Sequence, residues 1–148
     1  MRKKIKFKKG FSLIEVLVAI AIISVISSIG VGGYSFFKAS SEIDLNSQQV
    51  ANLIRSSQKK AKAVRDDSAW GIDINASRVI IFQGSNFSSR DTNHDQTTSI
   101  KGLTSASGVT QIIFSKMTGL PDVSGTLTLG NGASTKNIQI NEEGLVSY

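Results

Sequence analysis

Lys8-Lys9-Gly10-Phe11-Ser12-Leu13-Ile14-Glu15-Val16-Leu17 joins a basic leader to a long apolar run. From Phe11 to Phe37 the sequence reads FSLIEVLVAIAIISVISSIGVGGYSFF, and Glu15 is its only charge. About 20 apolar residues suffice to cross a bilayer as a helix. The run therefore predicts a membrane helix with Glu15 one turn inside it. A carboxylate in hydrocarbon costs on the order of 3 kcal/mol or more, which marks Glu15 as a functional residue. A secretory signal peptide would need a shorter apolar core and a small-residue cleavage site after it. The glutamate and the Ile/Val-rich continuation argue against that reading.

Beyond Phe37 the composition turns polar but stays helix-friendly. Ile43, Val50, Ile54, Ala61 and Val64 recur at steps of three, four or seven, which predicts an amphipathic helix with one apolar stripe. Leu45 and Leu53 are expected to broaden it. No strong breaker separates this stretch from the apolar run, so one helix of about 55 residues is expected, about 80 Å long at 1.5 Å per residue. Gly30, Gly32 and Gly33 suggest either a bend or close helix packing through small residues.

The remainder reads as β-rich. Trp70–Ile74 and Val79–Phe82 are spaced as a hairpin, and Gln111–Phe114, Gly125–Leu129, Asn137–Ile140 and Leu145–Ser147 follow as further strands. Between the second and third strands runs a polar stretch, Gly84–Gly108. It is expected to be a surface loop with limited structure of its own. The fold class is α+β: a long N-terminal helix on a small antiparallel sheet domain. The expected segments are a leader (1–10), a membrane or filament-core helix (11–37), an amphipathic helix (38–65) and a globular domain (66–148).

The contiguous KGFSLIE resembles the cleavage junction of type IV prepilins and type II secretion pseudopilins. The resemblance implies cleavage between Gly10 and Phe11 by a prepilin peptidase, N-methylation of Phe11, and a role for Glu15 in recruiting the subunit into a filament. It also implies other pilin or pseudopilin subunits, an inner-membrane assembly platform and the lipid bilayer as partners. The implied location is the cytoplasmic membrane, crossed once with the N-terminus cytoplasmic and the C-terminal domain extracytoplasmic, and then the filament. A looser resemblance covers the C-terminal quarter. IIFSKMTGLP, GTLTL, KNIQI and NEEGLV, with Phe114, Gly119, Gly125 and Gly144, look like the end of the H-type minor pseudopilins and the FimT-like minor pilins. Some FimT-like relatives bind DNA for uptake, which makes nucleic-acid binding the alternative function. A plain membrane-anchored binding module is a third, and it has no use for Glu15.

Charge bears on that choice. Six of the 17 basic side chains precede Phe11 and none of the 11 acidic ones does, so the chain beyond Gly10 balances at 11 of each. The basic leader reads as a positive-inside signal rather than a nucleic-acid footprint. Lys59, Lys60, Lys62 and Arg65 form a local basic cluster, but Asp66 and Asp67 follow, and cations near a helix C-terminus also favour its dipole. The chain has no cysteine, which excludes disulfides and thiol chemistry. Asp91, Asn93 and Asp95 have the spacing that opens a calcium-binding loop, yet the later glycine and glutamate of such a loop are missing. A solvated Asx-rich turn is the competing reading. His94, the single histidine, has no partners in sequence suggesting a metal site or a triad, and no catalytic set is visible. A non-enzymatic protein without a resident cofactor is expected.

Overall fold

The computed structural model describes residues 10–148, with the side chains at 29–33 and 36 outside the described set. The basic leader as far as Lys9 and the bend expected at Gly30, Gly32 and Gly33 lie outside the described residues. The chain divides into two compact units, Met1–Phe37 and Lys38–Tyr148. One helix, α1, spans Leu13–Lys62.

In the first unit, every described α1 side chain from Leu13 to Ser28 is exposed, apolar ones included. Among the described residues no helix is long and apolar enough to cross a membrane. Part of the apolar run lies at the undescribed side chains.

In the second unit α1 is amphipathic. Ile43, Val50, Ala51, Ile54 and Ala61 are fully buried, and Leu53 packs against the same cluster. Leu45 does not join them: it is 66% exposed. At about 100° per residue, two positions past Ile43 lies the opposite side of the helix. Polar residues complete the buried face. Asn46 Nδ2 donates to the Lys101 carbonyl (2.9 Å) and Ser47 Oγ to the Asp44 carbonyl (2.8 Å). The fully buried Ser57 hydroxyl has no partner among the described residues. The helix stops at Lys62, short of the expected residue 65, because Val64, Asp66 and Asp67 adopt left-handed backbone with φ of 52°, 54° and 54°. A right-handed helix cannot continue through such residues.

Eight strands follow: β1 (Trp70–Ile74), β2 (Arg78–Gln83), β3 (Gln96–Ser99), β4 (Ser105–Gly108), β5 (Gln111–Phe114), β6 (Gly125–Gly130), β7 (Thr135–Ile140) and β8 (Val146–Ser147). They form two antiparallel sheets with orders β3-β2-β1-β5 and β4-β6-β7-β8. The architecture is α+β and pilin-like, with two small sheets where one was expected. Alternation drives it: Trp70, Ile72 and Ile74 of β1, Leu127 and Leu129 of β6, and Ile138 and Ile140 of β7 all enter one core with the α1 stripe.

The polar stretch Gly84–Gly108 is more ordered than its composition suggests. It contributes two edge strands, β3 on β2 and β4 on β6. It also covers the outer face of the first sheet. Phe82, whose alternation places it on the face away from the α1 core, is fully buried, and Phe87 meets it edge-on at 5.2 Å. Arg90 lies over Phe87, 3.7 Å from its ring centre, and donates to the Phe87 carbonyl. The Phe82 ring also lies across Gly71, its cross-strand partner. A Cβ at Gly71 would come within 2.2 Å of the ring.

Two substitutions test this packing by opposite signs. Gly71→Ala should destabilise the domain by about 1–3 kcal/mol, because the Phe82 ring must leave its place. Ser57→Ala should stabilise it by about 1 kcal/mol, since it removes an unsatisfied buried hydroxyl and improves helix propensity. Urea unfolding followed by the fluorescence of the single, 2%-exposed Trp70 measures both.

Candidate functional site

The junction residues stand at the start of α1. Gly10 and Phe11 precede the first helical residue, Leu13, and both are exposed, Phe11 by 83%. Among the described residues, nothing lies within 4 Å of the position a Gly10 Cβ would take. Among the described residues, the peptide bond between Gly10 and Phe11 lies outside the helical hydrogen-bond ladder.

Ser12 is the N-cap, and here the structure adds a residue that the sequence reading passed over. Ser12 Oγ accepts from the Glu15 backbone N–H, and Glu15 Oε2 accepts from the Ser12 backbone N–H, both at 3.4 Å. This reciprocal pair is a capping box, and its signal was present as Ser-x-x-Glu. Both bonds are long, and the site is exposed. A carboxylate here also meets the positive end of the helix dipole. No basic side chain pairs with Glu15 among the described residues. Glu15 thus sits one turn into the helix, exposed, lightly held by its own backbone, and with coordination to spare.

Two of the three calcium candidates, Asp91 and Asp95, have carboxylates hydrogen-bonded within the loop. Thr92–His94 forms a short 3-10 turn capped by Asp91, whose Oδ1 accepts from the Asn93 N–H at 3.0 Å while Oδ2 contacts His94 Nδ1 at 3.1 Å. The Asn93 bond is the main reason the Asp91 carboxyl is held below its usual range. Asp95 faces away from this turn into Arg90, whose Nε reaches both carboxylate oxygens at 3.1 and 3.0 Å. The D-x-N-x-D spacing is therefore used as an Asx turn and an ion pair. No group of three or more acidic, His or Cys side chains forms among the described residues.

The basic cluster is also divided. Lys60 is partly buried: its ammonium lies 4.6 Å from the Trp70 ring centre and donates to Gln96 Oε1. Burial, and then the neighbouring Arg65, push its pKa below the usual lysine value. Arg65 leans to Asp66 at 3.9 Å, and its carbonyl accepts from Trp70 Nε1. Trp70 and Phe82 are core anchors and offer no exposed ring for base stacking. Lys59 and Lys62 remain exposed on the helix surface.

The family described as the prokaryotic N-terminal methylation motif matches residues 5–31. The match takes in Gly10, Phe11, Ser12 and Glu15. Neither the curated proteins nor the solved structures give a match. A prepilin-type motif marks pilin-like structural subunits and implies processing by a prepilin peptidase and assembly with other pilin subunits. The chain thus carries a type IV prepilin-like N-terminus, which supports a protein of the type IV pilin or pseudopilin class.

Proposed function

We propose that the chain is a minor subunit of a type II secretion pseudopilus or a type IV pilus, of the H-type or FimT-like kind, and that its work is assembly rather than catalysis. The observation that supports this most is the coincidence of the methylation motif with exposed Gly10 and Phe11 and an exposed Glu15 at the helix start. Prepilin peptidase removes the leader through Gly10, and the new amine on Phe11 is methylated. The apolar side chains from Phe11 to Ile26 are exposed in the lone chain. An apolar helical surface of this kind calls for lipid or for like helices. On this reading it rests in the cytoplasmic membrane and later in the filament core.

Glu15 then acts by charge. In a medium of low dielectric, a carboxylate and a cationic amine attract far more strongly than in water. An unpaired carboxylate in the same medium pays a desolvation penalty of several kcal/mol. The methylated amine of a neighbouring subunit's Phe11 satisfies Glu15, so pairing favours leaving lipid for the filament. The FimT-like alternative, DNA uptake, needs a basic surface. Arg65, Arg90, Lys116 and Lys136 each face an aspartate (Asp66, Asp95, Asp67 and Asp44), so four of the basic side chains beyond Gly10 are neutralised locally.

Two measurements check the proposal. Intact mass of the chain from cells that hold the peptidase should show a product starting at methylated Phe11. Full-length chain alone in those cells would refute the assignment. Glu15→Gln separates charge from capping, because glutamine also serves at this place in a capping box. It should be processed normally yet enter filaments poorly in a pull-down of assembled fibres. Normal incorporation of the glutamine variant would leave Glu15 with a capping role only.

A further inference from the structure

One side of α1 and the turn between β7 and β8 enclose a groove of about 390 Å3. Arg55 and Lys59 line it, with Lys62 one turn further along the same helix face, opposite Leu145 and Val146. Its walls are fixed in place. Gln58 Nε2 donates to the carbonyls of Gly119 (3.0 Å) and Glu143 (3.1 Å), tying two separate loops to the helix. Gly144 is needed for this: its φ is +75°, and a Cβ there would lie 2.3 Å from Gln58 Nε2.

Arg55 is held on both sides. It donates to Asn52 Oδ1 (3.2 Å) and to the Val146 carbonyl (2.8 Å), and its guanidinium carbon lies 5.6 Å from the Tyr148 ring centre. A guanidinium has five N–H donors, so those two bonds leave others without a partner among the described residues. No carboxylate pairs with Arg55, Lys59 or Lys62 among the described residues, and Glu143 is the one acid on the groove wall. In a body whose charges beyond Gly10 balance, this is a local concentration of unneutralised cations around a planar fork.

We infer that this groove binds a carboxylate-rich peptide segment of a partner protein. The fixed Arg55 fork suits a carboxylate held by two parallel bonds. Lys59 and Lys62 supply charge for flanking acidic residues. Leu145 is 65% exposed beside the cations, and gives an apolar side chain of the peptide a contact that a phosphate backbone would not use. The inference is independent of how Gly10 is processed.

The test uses the full chain in detergent and a fluorescein-labelled, glutamate-rich peptide with one central leucine, followed by anisotropy. Binding should weaken about fivefold in Lys59→Gln/Lys62→Gln, the size expected for losing two partly exposed charge contacts, and should fall with added salt. Lys38→Gln/Lys101→Gln removes equal charge elsewhere and should leave affinity unchanged. Absence of binding, equal loss in both double variants, or tighter binding of a duplex DNA oligonucleotide through the same lysines would overturn the assignment.

Discussion

Burial of one helical stripe holds both sheets. Ile43, Val50, Ile54 and Ala61 share a single core with Trp70, Ile72 and Phe114 of the first sheet and Leu127, Leu129 and Ile138 of the second. Fully burying a Val, Leu, Ile or Phe side chain contributes about 1.5–3 kcal/mol relative to exposure. With no cysteine, no crosslink can substitute for it. The second unit is therefore organised around the last half of α1, and every loop that leaves the sheets on that side must come to terms with the helix surface.

The helix meets those loops with side-chain donors. Backbone carbonyls brought close to a helix lose water and need a replacement partner. Asn46, Arg55 and Gln58 supply it to Lys101, Val146, Gly119 and Glu143. In the reverse direction Asn131 Nδ2 donates to the Ala39 carbonyl at 2.6 Å, and the Met117 N–H to the Ala61 carbonyl at 3.1 Å. The β5 edge is closed in the same way by its own following loop, where Asp122 accepts from the Ile113 N–H and returns a bond to its carbonyl. These bonds fix loops that have little apolar content, which burial alone would leave poorly defined.

The parts of the fold that apolar periodicity governs were legible in the sequence. The α1 stripe, without Leu45 and Val64, and the six strands from Trp70, Val79, Gln111, Gly125, Asn137 and Leu145 fall within a few residues of their places. Strands β3 (QTTS) and β4 (SASG) were not legible, because an edge strand is made by backbone pairing and these side chains carry no alternation. The Asx turn at Asp91 was among the readings of the Asp91–Asp95 spacing, but the Arg90–Asp95 ion pair was not, since Arg90 reaches that carboxylate only once the turn has formed. The groove escaped for a different reason. Arg55 and Val146 are 91 residues apart in sequence, and only the packing of the C-terminal turn on α1 joins them.

The capping box at the start of α1 is a weak interaction. A good N-cap contributes about 0.5–2 kcal/mol, and the two long bonds between Ser12 and Glu15 stand at the lower end of what such geometry gives. That is enough to bias the first turn toward helix and to keep the carboxylate beside the positive end of the dipole. It falls short of the several kcal/mol that desolvation would take from an unpaired carboxylate. On the proposed reading, the capping box therefore orients Glu15 without satisfying it. A tighter intramolecular bond would compete with the amine of the next subunit, and a missing one would let the first turn fray. The observed 3.4 Å contacts lie between those cases, and on that reading Glu15, the third residue of the helix, stays available to the next subunit.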